Sequence, residues 1–345
     1  MSAVRGVGGG RKEVRKTYRK AEKSSLTSAQ SFMERNPNVT WELRAINKSG
    51  LEHTWKPSRV KYFNTCVTMS WNVGSFLTNL MEVVTFHLRG VERKALRCPG
   101  LKRSLMETVH VQTERVEVLG QDGLLELKLL ESGFLIGVWK RDQSVAFIMS
   151  SLHLNNIEST EESSAGNNLW PKNKPPFDDV DPEYGLHGYR LHVVLHNTNN
   201  ELMSESFSKL FCRRGEICDG KILLTVISRS NLSQHIRLTQ EVVLPWWCEA
   251  LQGTVKNCCF MTLTLLDEHD IPFKSVSYPV SLKLEEASCV YYDYDGENYL
   301  IHYQDPDLQV QMVLVSTEGQ KTFVVVSLVV YLSVSSVNQH FNRDY

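Results

Sequence analysis

The sequence predicts a mainly β protein: an antiparallel β-barrel or sandwich-like domain behind a short, basic, helical amino-terminal segment. Three observations predict it. The stretch Phe134–Leu154 holds two apolar runs around the polar break Lys140-Arg141-Asp142-Gln143, a hairpin signature. In its second run Val145, Phe147 and Met149 alternate with Ala146, Ile148 and Ser150, the period-two pattern of a half-buried strand. From Tyr189 onward, short apolar runs recur between turn residues, as in all-β sandwiches and barrels.

Taken in order, residues 1–36 read as a basic tail and a short helix. Arg11, Arg15 and Arg19 recur at i, i+4 and would share one helical face. A single aromatic, Tyr18, interleaves with them, too few for a stacking surface, so a solvated face is favoured over a nucleic-acid surface. Residues 37–345 read as one β domain. Trp41–Ile46 and Leu51–Trp55 flank the turn Asn47-Lys48-Ser49-Gly50. Val67, Met69 and Trp71 alternate in the next strand. Ser75–Leu88 fits either a strand or a helix face and is read as strand. Val109–Leu119 and Leu124–Leu130 surround Gly120-Gln121-Asp122-Gly123, another hairpin signal, and the central hairpin follows. Gly133 and Gly137 there suit a close backbone approach or a bulge.

Residues 155–186 break the rhythm. They are polar, acidic and Pro-rich, and a loop of this length inside a domain is usually functional or disordered. Strands resume at Tyr189–His196, Lys221–Ser228, His235–Leu244, Cys258–Leu266, Ser275–Leu284, Val290–Tyr294, Tyr299–Tyr303, Leu308–Val315 and Thr322–Val334. A short helix over Val334–Phe341 closes the chain. No internal repeat stands out at a fixed period.

Composition narrows the function classes. With 42% hydrophobic and 22% charged residues, the 345-residue chain can bury a real core. A net charge of −1 gives no whole-molecule field to draw in nucleic acid or an anionic membrane, so neither is expected as a partner. The amino terminus carries no signal-peptide pattern, and the longest apolar run, Phe323–Leu332, is half the length of a membrane helix. The expected location is cytoplasmic, with the nucleus as a second compartment. The eight cysteines are then expected as thiols.

Candidate chemistry is sparse. His192 and His196 have a helical metal-ligand spacing. On a strand, however, residues four apart are separated by about 13 Å, too far to share one ion. Cys212 and Cys218 lack zinc-knuckle spacing, as do the adjacent Cys258 and Cys259. Asp293–Glu297 departs from a calcium loop and fits an Asp-Gly turn. Leu266–Asp270 is a charged cluster read as a polar turn, because no nucleophile partners it. No catalytic residue, metal ligand or cofactor site is assigned, and the reading is a non-catalytic binding module.

Four stretches carry a resemblance: GVWKRDQSVAF within Gly133–Leu154, DPEYGLHGYRLHVVLH at Asp181–His196, LLDEHDIPF at Leu265–Phe273, and the ending VVYLSV…NQHFNRDY. With these the chain resembles the F-box family of substrate receptors. The resemblance implies the substrate-recognition subunit of a Skp1–cullin–F-box (SCF) ubiquitin ligase, a member of the ubiquitin-like conjugation pathway. Such a receptor contributes proximity and makes no covalent bond itself. F-boxes are helical, Leu-rich blocks of about forty to fifty residues that open with a Leu-Pro, and nothing before Trp41 fits. The resemblance therefore implies a portion lacking the Skp1-docking F-box.

Under that reading a protein substrate is expected at the 155–186 loop. Trp170, Phe177 and Tyr184 are the candidate partner-binding residues, since aromatic anchors dominate interfaces. Two further readings are a β-barrel enclosing a small apolar ligand or serving as a non-ligase scaffold, and a thiol or metal enzyme. Cysteine depletion and metal analysis separate the latter from the rest.

Overall fold

The computed structural model describes residues 39–63, 65–72, 80–94, 100–111, 117–119, 122–130, 133–153, 186–285, 294, 296–317 and 322–345. The first half holds Val39–Asn47 (β1), Glu52–Trp55 (β2), Arg59–Tyr62 (β3), Cys66–Asn72 (β4), Val83–Lys94 (β5), Gly100–His110 (β6), Glu117–Leu119 (β7), Leu125–Leu129 (β8), Phe134–Trp139 (β9) and Val145–His153 (β10). The second holds Tyr189–His196 (β11), Glu201–Leu210 (β12), Lys221–Ile227 (β13), Ile236–Arg237 (β14), Val243–Trp247 (β15), Gln252–Lys256 (β16), Cys258–Asp267 (β17), Pro272–Ser281 (β18), Lys283–Leu284 (β19), Asn298–Gln304 (β20), Leu308–Ser316 (β21), Phe323–Ser333 (β22) and the helix Val334–Phe341 (α1). Every described pairing is antiparallel.

Four main sheets form. Sheet I is ordered β2-β1-β5-β6, sheet II β3-β4-β10-β9-β8-β7, sheet III β12-β11-β17-β18 and sheet IV β13-β22-β21-β20-β19. The hairpin β15-β16 stands apart as a fifth, and β14 pairs with β22. No barrel closes among the described strands, and the sandwich alternative holds.

The sheets stack in the order I, II, III, IV, because three apolar layers separate them. Trp41, Leu43, Phe86 and Leu88 of sheet I meet Val67, Met69, Trp71, Ile136 and Ile148 of sheet II. The other face of sheet II, through Leu135, Phe147 and Met149, meets Phe260 of β17 together with Leu244, Trp246 and Val255 of the separate hairpin. Leu191, Val193, Met261 and Leu263 of sheet III meet Val310, Met312, Leu328 and Val330 of sheet IV. Each large aliphatic side chain buried in these layers contributes roughly 1.5–3 kcal/mol relative to exposure.

The stacking corrects one expectation. Every residue of β10 is buried, although its alternation predicts a half-buried strand. Ile148 and Leu152 face sheet I, while Phe147, Met149, Ser151 and His153 face sheet III.

The two halves share a topology without sharing a sequence period. Sheet III repeats sheet I strand for strand, with β12-β11-β17-β18 standing where β2-β1-β5-β6 stand. Sheet IV repeats the path β4-β10-β9-β8-β7 as β13-β22-β21-β20-β19. The described chain is thus two sandwiches of one topology stacked head to tail. Shared topology leaves no sequence period, because only the order of hairpins and the alternation of apolar residues are common to the halves.

Smaller differences follow. Within Ser75–Leu88, Leu80–Glu82 forms a 3-10 turn and the strand begins at Val83. The run Val109–Leu119 is no single strand, since β6 belongs to sheet I and β7 to sheet II. His235–Leu244 divides between β14 and β15, and β3, most of β6, β12 and β16 fall outside the expected strands. The central hairpin forms as expected: Trp139 donates its amide to Ser144 O, and Gln143 takes a left-handed φ of 59°. The basic segment 1–36, the segment 155–185 and the strand expected at Val290–Tyr294, save Tyr294 itself, lie outside the described residues.

Candidate functional site

Two polar clusters lie within this apolar stack. The first is a seam between sheets II and III. The backbone carbonyl of Asn197 accepts from His196 Nδ1 at 3.2 Å, which leaves Nε2 as the acceptor nitrogen. That nitrogen lies 3.3 Å from the Cys66 thiol of β4 and 3.2 Å from the Thr262 hydroxyl of β17. The ring is flanked by Phe63 and Phe260 at 4.2 and 5.6 Å. Nearby, His153 of β10 bonds Thr264 at 2.7 Å, and Thr68 donates to Ser151 at 3.4 Å.

A cysteine beside a histidine invites comparison with a nucleophile and its base. The electrostatics differ. Burial pushes the Cys66 thiol up to about 11, more than offsetting the hydroxyls of Thr262, Ser151 and Thr68. Burial lowers His196 to about 4, against the opposing bond to Asn197. With the thiol pushed up and the imidazole pushed down, burial opposes moving the proton from Cys66 to His196. The pair therefore stands as thiol and neutral imidazole, and it ties one sandwich to the other.

The second cluster is a corner at the end of the second sandwich, and three of the four stretches that carry the family resemblance meet there. His187 and Tyr189 come from the second stretch, Asp267, Glu268, Asp270 and Phe273 from the third, and His340, Phe341 and Tyr345 from the ending. The local fold sets each in place. The Asp267 carboxylate accepts amides from His269 and Ile271, making the turn after β17, and its other oxygen receives His340 Nε2 at 3.0 Å. Burial raises the Asp267 carboxyl, but the His340 bond and the Ile271 and His269 amides outweigh it and hold it below the usual range. Arg190 pairs with Asp270 at 2.7 Å.

His187 is fully buried. Its Nδ1 donates to Glu268 Oε1 at 2.7 Å, and its ring stacks on Phe341 with centroids 3.3 Å apart. Phe273 meets His340 and Tyr189 edge-on at 5.0 and 5.7 Å. Arg214 lies over the Tyr345 ring at 5.3 Å. Among the described residues, His187 Nε2, Glu268 Oε2 and Tyr189 Oη are buried here with no hydrogen-bond partner. Burial, then the charge on Glu268, pushes the Tyr189 phenol well above its ordinary value, so it stays protonated.

Sequence reasoning treated Leu266–Asp270 as a plain turn and did not single out His187, Tyr189, His340 or Phe341. The signal that could have found the corner was the clustering of His and carboxylates in those stretches. Trp170, Phe177 and Tyr184 lie outside the described residues. His192 and His196 share a strand, as expected, and His192 joins no cluster described above. No group of three or more metal-ligating side chains occurs among the described residues, and none of the described helices is long and apolar enough to cross a membrane. A surface cavity of about 380 Å³ on sheet I is lined by Glu42, Arg44, Glu52, Thr54 and Arg89, a polar set rather than an apolar pocket.

No family model matches the chain. Among curated proteins it is 33% identical over 316 residues to F-box only protein 15 of Macaca fascicularis, covering 88% of this chain and 72% of that one. It is 36% identical over 316 residues to the Homo sapiens protein of the same name, covering 88% and 61%. Against the Mus musculus protein it is 28% identical over 337 residues, covering 93% and 76%. The chain thus spans between 61% and 76% of the length of these relatives. Among solved structures, a DUF3598-family protein of Nostoc punctiforme aligns with 89% of the chain at 11% identity and a TM-score of 0.14, too low to carry an argument about the fold. At 33% identity over 88% of its own length and 72% of the macaque protein's, the chain belongs to the F-box only protein 15 family.

Proposed function

We propose that this chain is the substrate-recognition part of an SCF ubiquitin ligase receptor, gripping a target protein so that ubiquitin is transferred to it by the ligase's other subunits. The observation that carries the reading is its kinship, across 88% of its length, with proteins named for the F-box. The stacked sandwiches suit the role physically. A receptor works by raising effective concentration, which needs a stiff body and a fixed binding surface. The one thiol–imidazole pair described above is held in its unreactive protonation state.

Skp1 and cullin are the partners this reading implies. Trp170, Phe177 and Tyr184 belong to it as candidate anchors, and deleting residues 158–176 should weaken target capture while leaving the fold intact.

The experiment is turnover by fusion. Joined to the carboxy-terminal side of an F-box that binds Skp1, the chain should shorten the half-life of a defined set of cellular proteins. Half-lives indistinguishable from those with the F-box alone would refute the reading. Co-purification of the unfused chain with Skp1 and cullin decides separately whether it docks by itself.

A further inference from the structure

We propose that the free edge of β6 is a docking site for an extended, acidic segment of a target protein, which adds to the four-stranded sheet I as a further strand. The inference deepens the receptor reading and rests on it only in calling the partner a target.

A sheet edge recruits a strand when it is long and regular and its backbone groups are unclaimed. Among the described sheet edges, three strands have ten or more residues: β6 with 11, β12 with 10 and β18 with 10. Two of them are guarded. β18, which holds in sheet III the place that β6 holds in sheet I, carries Pro272 and Pro279, each lacking an amide donor. In β12, Thr239 already donates its amide and its hydroxyl to Leu202 O, and Lys209 interrupts the strand with a left-handed φ of 59°. β6 contains no proline.

The register shows which groups of β6 are free. Val111 donates its amide to Val84 O, one step beyond the paired residues Thr85 and His110. Bonded and unbonded pairs alternate along an antiparallel ladder, so Val109 and Phe86 form the next bonded pair. The amides and carbonyls of Thr108 and His110 therefore point away from β5. Both residues are exposed, while Val109 between them is buried in the layer against sheet II and anchors the edge.

Charge selects the partner. Together β5 and β6 carry Arg89, Arg93, Lys94, Lys102 and Arg103 against Glu92 and Glu107. The other carboxylates of the sheet's outer face, Glu42 and Glu52, lie beyond β5 on β1 and β2, and Glu52 is paired with Arg44. The positive field is felt within the sheet: burial, then the charges of Arg89, Arg44 and His110, pushes the His87 imidazole below its ordinary value. An acidic strand is attracted to such an edge. The equally basic β6 of a second copy is repelled, because like charges on neighbouring strands destabilise their pairing.

The test uses the full chain and a labelled peptide of about ten alternating Thr and Glu residues, the length of a long strand. The peptide should bind, and Thr108→Pro should weaken binding at least tenfold, since it removes an outward amide and no bond to β5. Raising salt from about 0.05 to 0.5 M should weaken binding at least tenfold as well. In the complex, amide exchange at Thr108 and His110 should slow at least tenfold while β12 is unchanged. A peptide with Pro in place of each Thr keeps the charge, loses half the amides and should not bind. His110→Pro keeps the test open should Thr108→Pro fail to fold. Absence of binding, binding indifferent to both proline substitutions, or equal binding of the Pro–Glu peptide would overturn the proposal. So would a single-stranded oligonucleotide that binds this edge more tightly than the peptide, or a dimer that Thr108→Pro dissolves. No readout involves Skp1 or degradation, so a failed receptor reading leaves the edge standing, and the converse holds.

Discussion

His196 of the second sandwich and Cys66 of the first, 130 residues apart in sequence, approach to 3.3 Å with both side chains fully buried. The contact lies in a polar seam, and polar seams respond to protons.

Acid should therefore weaken the protein before its carboxylates titrate. Burial holds both His153 and His196 at about 4, against an ordinary value near 6.5. An unfolded chain thus binds two protons that the folded chain refuses between those limits, so stability rises with pH across that window. It is fully present above about 6.5 and lost as pH falls toward 4. Each histidine contributes about 3 kcal/mol over the whole interval. Urea denaturation at pH 7.5, 6, 5 and 4.5 should show the decline, and His196→Gln should flatten it. A midpoint that does not move over this range would contradict the seam as described.

Thiol reactivity should divide sharply. Burial pushes Cys66 to about 11, Cys258 to about 12 and Cys259 well above its ordinary value, while Cys218 is exposed. Since the thiolate is the reacting form, these three should resist alkylation in the native state by orders of magnitude relative to Cys218. Mapping iodoacetamide adducts by mass spectrometry checks this. Rapid labelling of Cys66 would restore the thiol-enzyme reading.

How much of this was legible in the sequence depends on which physical signal each element carries. Strand β11 and helix α1 were readable to the residue, because apolar alternation and then a change of period mark both. Strand β12, ELMSESFSKL, was not: it lies at a sheet edge, is largely exposed, and has too few apolar residues to alternate. The second face of β10 escaped notice because Ser151 and His153 look solvent-directed until Thr68 and Thr264 are placed opposite them. The corner escaped for another reason. His187, Glu268 and Phe341 are local accidents in sequence, and only the order of the strands brings them together.

Gly137 should tolerate no side chain. A methyl there would lie 2.3 Å from the Phe147 ring, which is itself stacked on Trp246. Gly137→Ala should destabilise by about 2 kcal/mol, the ordinary cost of overpacking a filled core. Phe147→Leu in the same chain should recover part of that loss, because it withdraws the atoms that clash. Denaturation of the two single variants and the double variant measures the coupling. Strictly additive losses would mean that the ring is not what excludes the methyl.

Trp246 should be the costliest residue to truncate in the layer between the sandwiches. It sits on the β15–β16 hairpin of the second half, yet its partners belong to the first. Its ring stacks on Phe147 at 5.9 Å and meets Trp139 edge-on at 6.2 Å, and its Nε1 donates to Asp122 Oδ2 at 3.2 Å. Trp246→Ala removes the apolar contact, opens a cavity and takes one hydrogen bond from Asp122, which keeps the amides of Leu124 and Leu125, and should cost about 4 kcal/mol. Trp246→Phe keeps a stacking ring and loses the hydrogen bond, so about 1–2 kcal/mol is expected. Because the side chain ties one half to the other, the alanine variant should also lose cooperativity, with the two sandwiches melting at separate temperatures in calorimetry. A single transition shifted by less than the phenylalanine variant's would show that the seam, rather than this hairpin, holds the halves together.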